Sequence, residues 1–245
     1  MSQDKPFRFF PDAYRGRQFK PTIILLSSLL LTLVWWYFGR FRFYDAHLAD
    51  RLAAWFDPRT MRAVYTYGNG FLLLGVVPAL IVKLVFREKL SDYGVQLGDW
   101  RRWLPTFLLL APLFVAAAYA GSRMPKVVEY YPVDRGAGDS YTAFGLHAAT
   151  YLLLYMAFEF HYRGYMQFGL RDSLGGINAL LVQVTAWTLI HLDVAKPANE
   201  TFGAIMCGFL WGIIAFRTRS IFCGLLLLCL LGISLDLFIV WEKLH

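Results

Sequence analysis

Apolar runs of about twenty residues recur along this chain, the length a helix needs to cross the hydrocarbon core of a bilayer. The first, 21–38, reads PTIILLSSLLLTLVWWYF. Its Trp-Trp-Tyr end suits the headgroup level, where such rings collect. Further runs follow at 65–86, 103–120, 141–168, 177–191, 201–216 and 221–241. Together they predict an all-α fold, a polytopic membrane helix bundle of about seven transmembrane helices. Composition points the same way. The 245 residues are 58% hydrophobic and only 17% charged, whereas about a quarter of a soluble domain is charged.

The polar stretches between the runs organise the chain. The net charge is +7, but Lys and Arg sit between apolar runs and form no single patch. That pattern fits basic loops against anionic lipid and gives no reason to expect nucleic acid. The basic residues before 21 and around 87–102 favour a cytoplasmic N-terminus, with 21–38 as an uncleaved anchor. Residues 46–56 alternate apolar and charged at helical spacing, as a short surface helix or a helical loop element would. Residues 121–140 hold two prolines, three glycines and six charges. They divide residues 1–140, an anchor with accessory transmembrane helices, from a core bundle at 141–245. Cys207, Cys223 and Cys229 lie inside apolar runs without metal-ligand spacing and read as packing residues. Gly208 and Gly212 form a GxxxG that lets a neighbouring helix come close.

Ionisable groups inside such runs are costly, and they are usually there for a purpose. Tyr151, Tyr155, Glu159 and Arg163 are spaced by four and form one polar stripe on a helix otherwise rich in Leu, Phe, Met and Ala. Glu159 and Arg163 can pair. The pair is either structural or a base with its orienting cation. His161 points to nearly the opposite face. In the next run Gln183, Trp187 and His191 are again spaced by four. His191 closes the run, where the helix dipole favours a His, and Glu200 suits the first turn of the following helix. Pro197 suits a loop or an early helical position. Asp236, inside the last run, has no partner nearby in sequence and needs one from another helix or from water.

The order Glu-xxx-Arg-Gly, aromatic-xxx-His, then an acid-bearing last helix resembles the CAAX protease and bacteriocin-processing family of intramembrane proteases, over about residues 141–240. The family's EExxxRG motif falls on Phe158, Glu159, Arg163 and Gly164, and its FxxxH motif on Trp187 and His191. His191, Lys196, Pro197 and Glu200 also look like a branch of the family with a His-Lys-Pro-x-x-Glu pattern and a late acid such as Asp236. The chain departs from the pattern twice. The first glutamate is Phe158. The third-motif histidine, after the Thr218-Arg219-Ser220 turn, is Leu228.

The resemblance implies an intramembrane endopeptidase in which Glu159 activates water and Arg163 supports it. His191 would orient that water, donate to the leaving amine or bind a metal. Glu200, Asp236 and Tyr155 are accessory candidates. The cofactor is zinc, with His191 as a ligand, or none if the enzyme is of the glutamate type. The partners are the lipid bilayer and a membrane protein or lipidated peptide as substrate. The location is a bacterial inner (plasma) membrane, with the chain integral and multi-pass. Loss of the third histidine favours a second outcome, a catalytically degraded member that binds a membrane partner as a scaffold. A transporter would call for repeats or paired broken helices, which the sequence lacks.

Overall fold

A computed structural model of the chain describes residues 18–55, 57–193 and 198–244, apart from the side chains of Glu242 and Lys243. The expectations for Lys196, Pro197 and the basic N-terminal segment before Gln18 fall outside these residues. In chain order the helices are α1 (Phe19–Phe38), the short α2 (Phe41–His47) and α3 (Ala49–Leu52), α4 (Pro58–Phe86), α5 (Trp100–Gly121), α6 (Pro125–Tyr130), α7 (Tyr141–Leu174), α8 (Gly176–Leu189), α9 (Ala198–Thr218) and α10 (Phe222–Leu244). A 3-10 turn, Leu90–Tyr93, links α4 to α5.

Polarity is arranged inside out relative to a soluble bundle. Leu26, Leu29 and Leu30 of α1, Leu108, Leu109 and Leu113 of α5, and Ile177 of α8 are exposed, while Glu159, Arg163, Gln167, Gln183 and Asp236 are fully buried. Apolar surface on this scale marks contact with a nonaqueous partner. Among the described residues six helices, α1, α4, α5, α7, α9 and α10, are long and apolar enough to cross a membrane. This is an integral, multi-pass membrane protein. The expectation is about seven, and the seventh run is shorter than the rest. α8 has only 14 residues, about 21 Å of helix against a hydrocarbon core of about 30 Å.

Local sequence sets the ends. Asp57 caps α4 by accepting from Arg59 N–H, and Pro58 takes the first helical position, where no N–H is needed. Ser140 caps α7 by accepting from Ala143 N–H at 3.0 Å. Gly175, at φ +79, turns the chain from α7 into α8. Residues 46–56 hold the end of α2 and the four-residue α3. Residues 121–140 hold α6 as well as loop.

The bundle is knit most extensively by α10 against α5 and by α8 against α9. Its core is continuous across residue 140: Trp35 meets Phe158 edge to face at 5.4 Å between ring centres. Gly75 of α4 lies so close to Ala157 that only a hydrogen fits comfortably there.

Candidate functional site

The expected stripe on α7 is a single buried line. Tyr151 and Tyr155 stack at 4.2 Å between ring centres. One turn on, Glu159 Oε1 lies 3.3 Å from Arg163 Nη1, both residues at 0% exposure. From Phe160 to Phe168 the helix is wound as a π-helix, a geometry that recurs at functional positions. The guanidinium of Arg163 sits 4.4 Å from the Trp187 ring centre and 5.1 Å from that of Trp211. Desolvated cation–π contacts of this kind are worth about 2 kcal/mol. The Glu159 carboxylate rests against Gly224 of α10, where a Cβ would intrude. His161 is also buried, among its own neighbours Tyr162 and Tyr165.

The stripe divides by environment. A cavity of about 430 Å³ lies between α5, α7, α10 and the adjoining ends of α8 and α9. Tyr151, Tyr155, Phe158, Trp187, His191 and Glu200 line it, as do Leu228 and Tyr131. Glu159 and Arg163 do not. A smaller compartment of about 70 Å³ adjoins it and shares Tyr131, Tyr151, Phe158 and His191.

At the mouth, His191 holds its Nδ1 2.8 Å from the Trp187 carbonyl, so that N–H donates back into α8. Its carbonyl accepts from Thr201 Oγ1 at 3.1 Å. Glu200 is in the first turn of α9, as its charge favours, and accepts from the Tyr131 hydroxyl at 2.9 Å. Burial and the neighbouring carboxylate push the Tyr131 hydroxyl well above its ordinary pKa, so it stays a donor. Asp193, two residues past His191, is clasped by Arg40 at 3.2 Å and Arg42 at 2.7 Å. Arg40 also donates to the Tyr130 hydroxyl at 2.8 Å.

The structure thus brings His191, Glu200 and Tyr155 to one cavity. It leaves Glu159 with Arg163 behind the wall, and it sends Asp236 elsewhere. Asp236 Oδ2 is 2.9 Å from His147 Nε2, with both residues fully buried. Sequence reasoning missed His147, Tyr131 and the Arg40–Asp193 clasp. The signal for His147 was present: it stands four residues before Tyr151 and extends the same stripe by one turn.

Zinc fits this donor set poorly. Catalytic zinc takes three protein ligands. Among the described residues His191 is the one imidazole on the cavity wall, and Leu228 offers no donor. Among the described residues no group of three His, Cys, Asp or Glu stands close enough to hold a metal ion.

Compared with known families, residues 140–231 match the model described as type II CAAX prenyl endopeptidase Rce1-like. This segment is similar to that family. The match spans Phe158, Glu159, Arg163, His191, Glu200 and Leu228 and stops short of Asp236. No curated protein and no solved structure matches the chain. The cavity wall carries Phe158 and Leu228 at the two motif positions where the sequence departs from the expected pattern.

Proposed function

We propose that the chain holds an apolar segment of another membrane protein in the 430 Å³ cavity and leaves it uncut. One observation carries this reading. The carboxylate expected to serve as base in this chain, Glu159, is fully buried beside Arg163 and is absent from the cavity wall, whereas Phe158 and Leu228 are part of that wall. A general base must lie within hydrogen-bond reach of the proton it takes, and Glu159 meets Arg163, Gly224 and packed hydrocarbon. The cavity size falls in the range of ordinary ligand pockets, about 300–1,000 Å³. Its aromatic and aliphatic walls suit side chains of a membrane segment, and Glu200 and His191 at the mouth suit the polar residues where such a segment ends.

A second reading is favoured by those same mouth residues. Glu200 and His191 line one cavity, so hydrolysis with Glu200 as base and His191 as proton donor is the competing chemistry. One experiment separates the two. The purified chain in nanodiscs is mixed with synthetic single-span peptides, binding is followed by tryptophan fluorescence, and the peptides are then weighed by mass spectrometry. Binding without fragments is the expected result. Ala117→Trp, which places an indole at the cavity wall, should weaken binding by about tenfold or more, equivalent to about 1.4 kcal/mol. Fragments that vanish in both Glu200→Gln and His191→Ala would overturn the proposal in favour of the peptidase.

A further inference from the structure

The buried group around His147 plays no part in the cavity chemistry. His147 of α7 lies between two carboxylates from different parts of the chain. Nε2 is 2.9 Å from Asp236 Oδ2 on α10, and Nδ1 is 3.9 Å from Asp134 Oδ2 in the loop before α7. Asp134 is otherwise well held, accepting from Thr60 Oγ1 at 3.1 Å and Gly136 N–H at 2.9 Å. Four further groups face the cluster. The Tyr67 ring of α4 is 6.0 Å from the imidazole and the Tyr151 ring of α7 is 5.5 Å away. Arg135 is near enough for its charge to act on Asp236, and Asp57 near enough to act on Asp134.

This arrangement is one proton short. A neutral imidazole carries one N–H, and the 2.9 Å contact to Asp236 uses it. Nδ1 then turns a lone pair toward the Asp134 carboxylate, two acceptors facing each other across 3.9 Å in a dry interior. Nδ1 and Asp236 Oδ1 have no hydrogen-bond partner, and an unsatisfied buried polar group is costly. A single added proton removes the conflict wherever it settles. On Nδ1 it makes an imidazolium between two carboxylates, and on Asp134 it makes an O–H that donates to Nδ1.

We infer that segment 131–140 is a proton-operated latch: a proton taken up between Asp134 and His147 clamps the segment onto α7 and α10, and its loss frees Tyr131 at the cavity mouth. Tyr131 lies three residues before Asp134, lines both compartments and donates to Glu200. The state of the latch therefore sets the shape of the opening. Burial pushes the Asp134 carboxyl above the usual carboxylate range. The sign follows directly. The stabilisation from holding the proton is complete below the ordinary carboxylate pKa and is lost as pH rises through the raised value. The latch is closed in acid and loose in alkali.

The meaning of the latch for the cavity rests on the binding reading above, but the latch is measured without any partner, so either can fail alone. The measurement is hydrogen–deuterium exchange of the full chain in nanodiscs, with protection factors for the amides of Arg135, Gly136, Ala137 and Asp139 at about pH 4 and about pH 8.5, at and well above the ordinary carboxylate pKa. In the wild type, protection should fall about fivefold to tenfold from acid to alkali, the amount one hydrogen bond supplies. Asp134→Asn keeps the acceptor for Thr60 and Gly136 and adds a fixed N–H toward Nδ1. It should show the acid level of protection at both pH values. His147→Gln should lose the pH dependence. Equal protection of the wild type at both pH values, or a full pH response surviving in Asp134→Asn, would overturn the latch.

Discussion

Glu159 and Arg163 form an ion pair with almost no help from hydrogen bonding. Neither the carboxylate oxygens nor the guanidinium nitrogens have an aligned hydrogen-bond partner in the protein, and Arg163 is supported instead by the faces of two tryptophans. Removing one member of a buried pair leaves an uncompensated charge and costs about 3–5 kcal/mol, while replacing both with apolar residues is often neutral or better. Arg163→Leu should therefore lose most of its folded population in a detergent denaturation series. Glu159→Leu with Arg163→Leu should recover it. If the binding reading holds, the double variant also keeps its affinity for the peptide. The pair itself was legible because an i,i+4 spacing is a local property of a helix. The partner of Asp236 was not. His147 is 89 residues away in sequence, and a spacing rule carries no information over that distance.

At the level of helices, the GxxxG of α9 works through glutamines and not through a bare close approach. Gln183 of α8 donates to the Gly208 carbonyl at 2.9 Å, and Gln167 of α7 donates to the Gly212 carbonyl at 2.8 Å. A Cβ at Gly212 would run into both amides and Leu180, whereas one at Gly203 of the same helix would meet nothing within 4 Å. Gly212→Leu should destabilise by about 1–3 kcal/mol through overpacking, and Gly203→Leu should not, as judged by thermal unfolding in detergent. The six long helices could be read directly from hydropathy, because length and composition alone decide membrane passage. The shortness of α8 could not. Its apolar run continues in sequence to Ile190, but the backbone leaves the helix at Leu189.

For the molecule as a whole, the first helices share one core with the later ones, and specific polar contacts add to that packing. Arg40, at the end of α1, reaches Asp193 and Tyr130 together, stacks on Trp36 at 4.0 Å, and is itself buried. Arg40→Leu removes one of the two arginines that clasp Asp193. Loss of charge-assisted hydrogen bonds worth about 1.5–3 kcal/mol should lower the melting temperature by several degrees and speed trypsin cleavage near Arg135. The division at residue 140, drawn from loop composition, says nothing about such contacts. Loop residues reveal where a chain turns, and side chains such as Trp35 and Phe158 decide what then packs together.

α8 has one more consequence. Ile177, Leu181 and Leu189 point outward into lipid, so the annulus around this helix has to match a peptide cylinder about 9 Å too short for an ordinary bilayer. The acyl chains must compress there, and headgroups with their hydration dip inward beside the stub. Such local thinning also biases the protein toward thinner membranes.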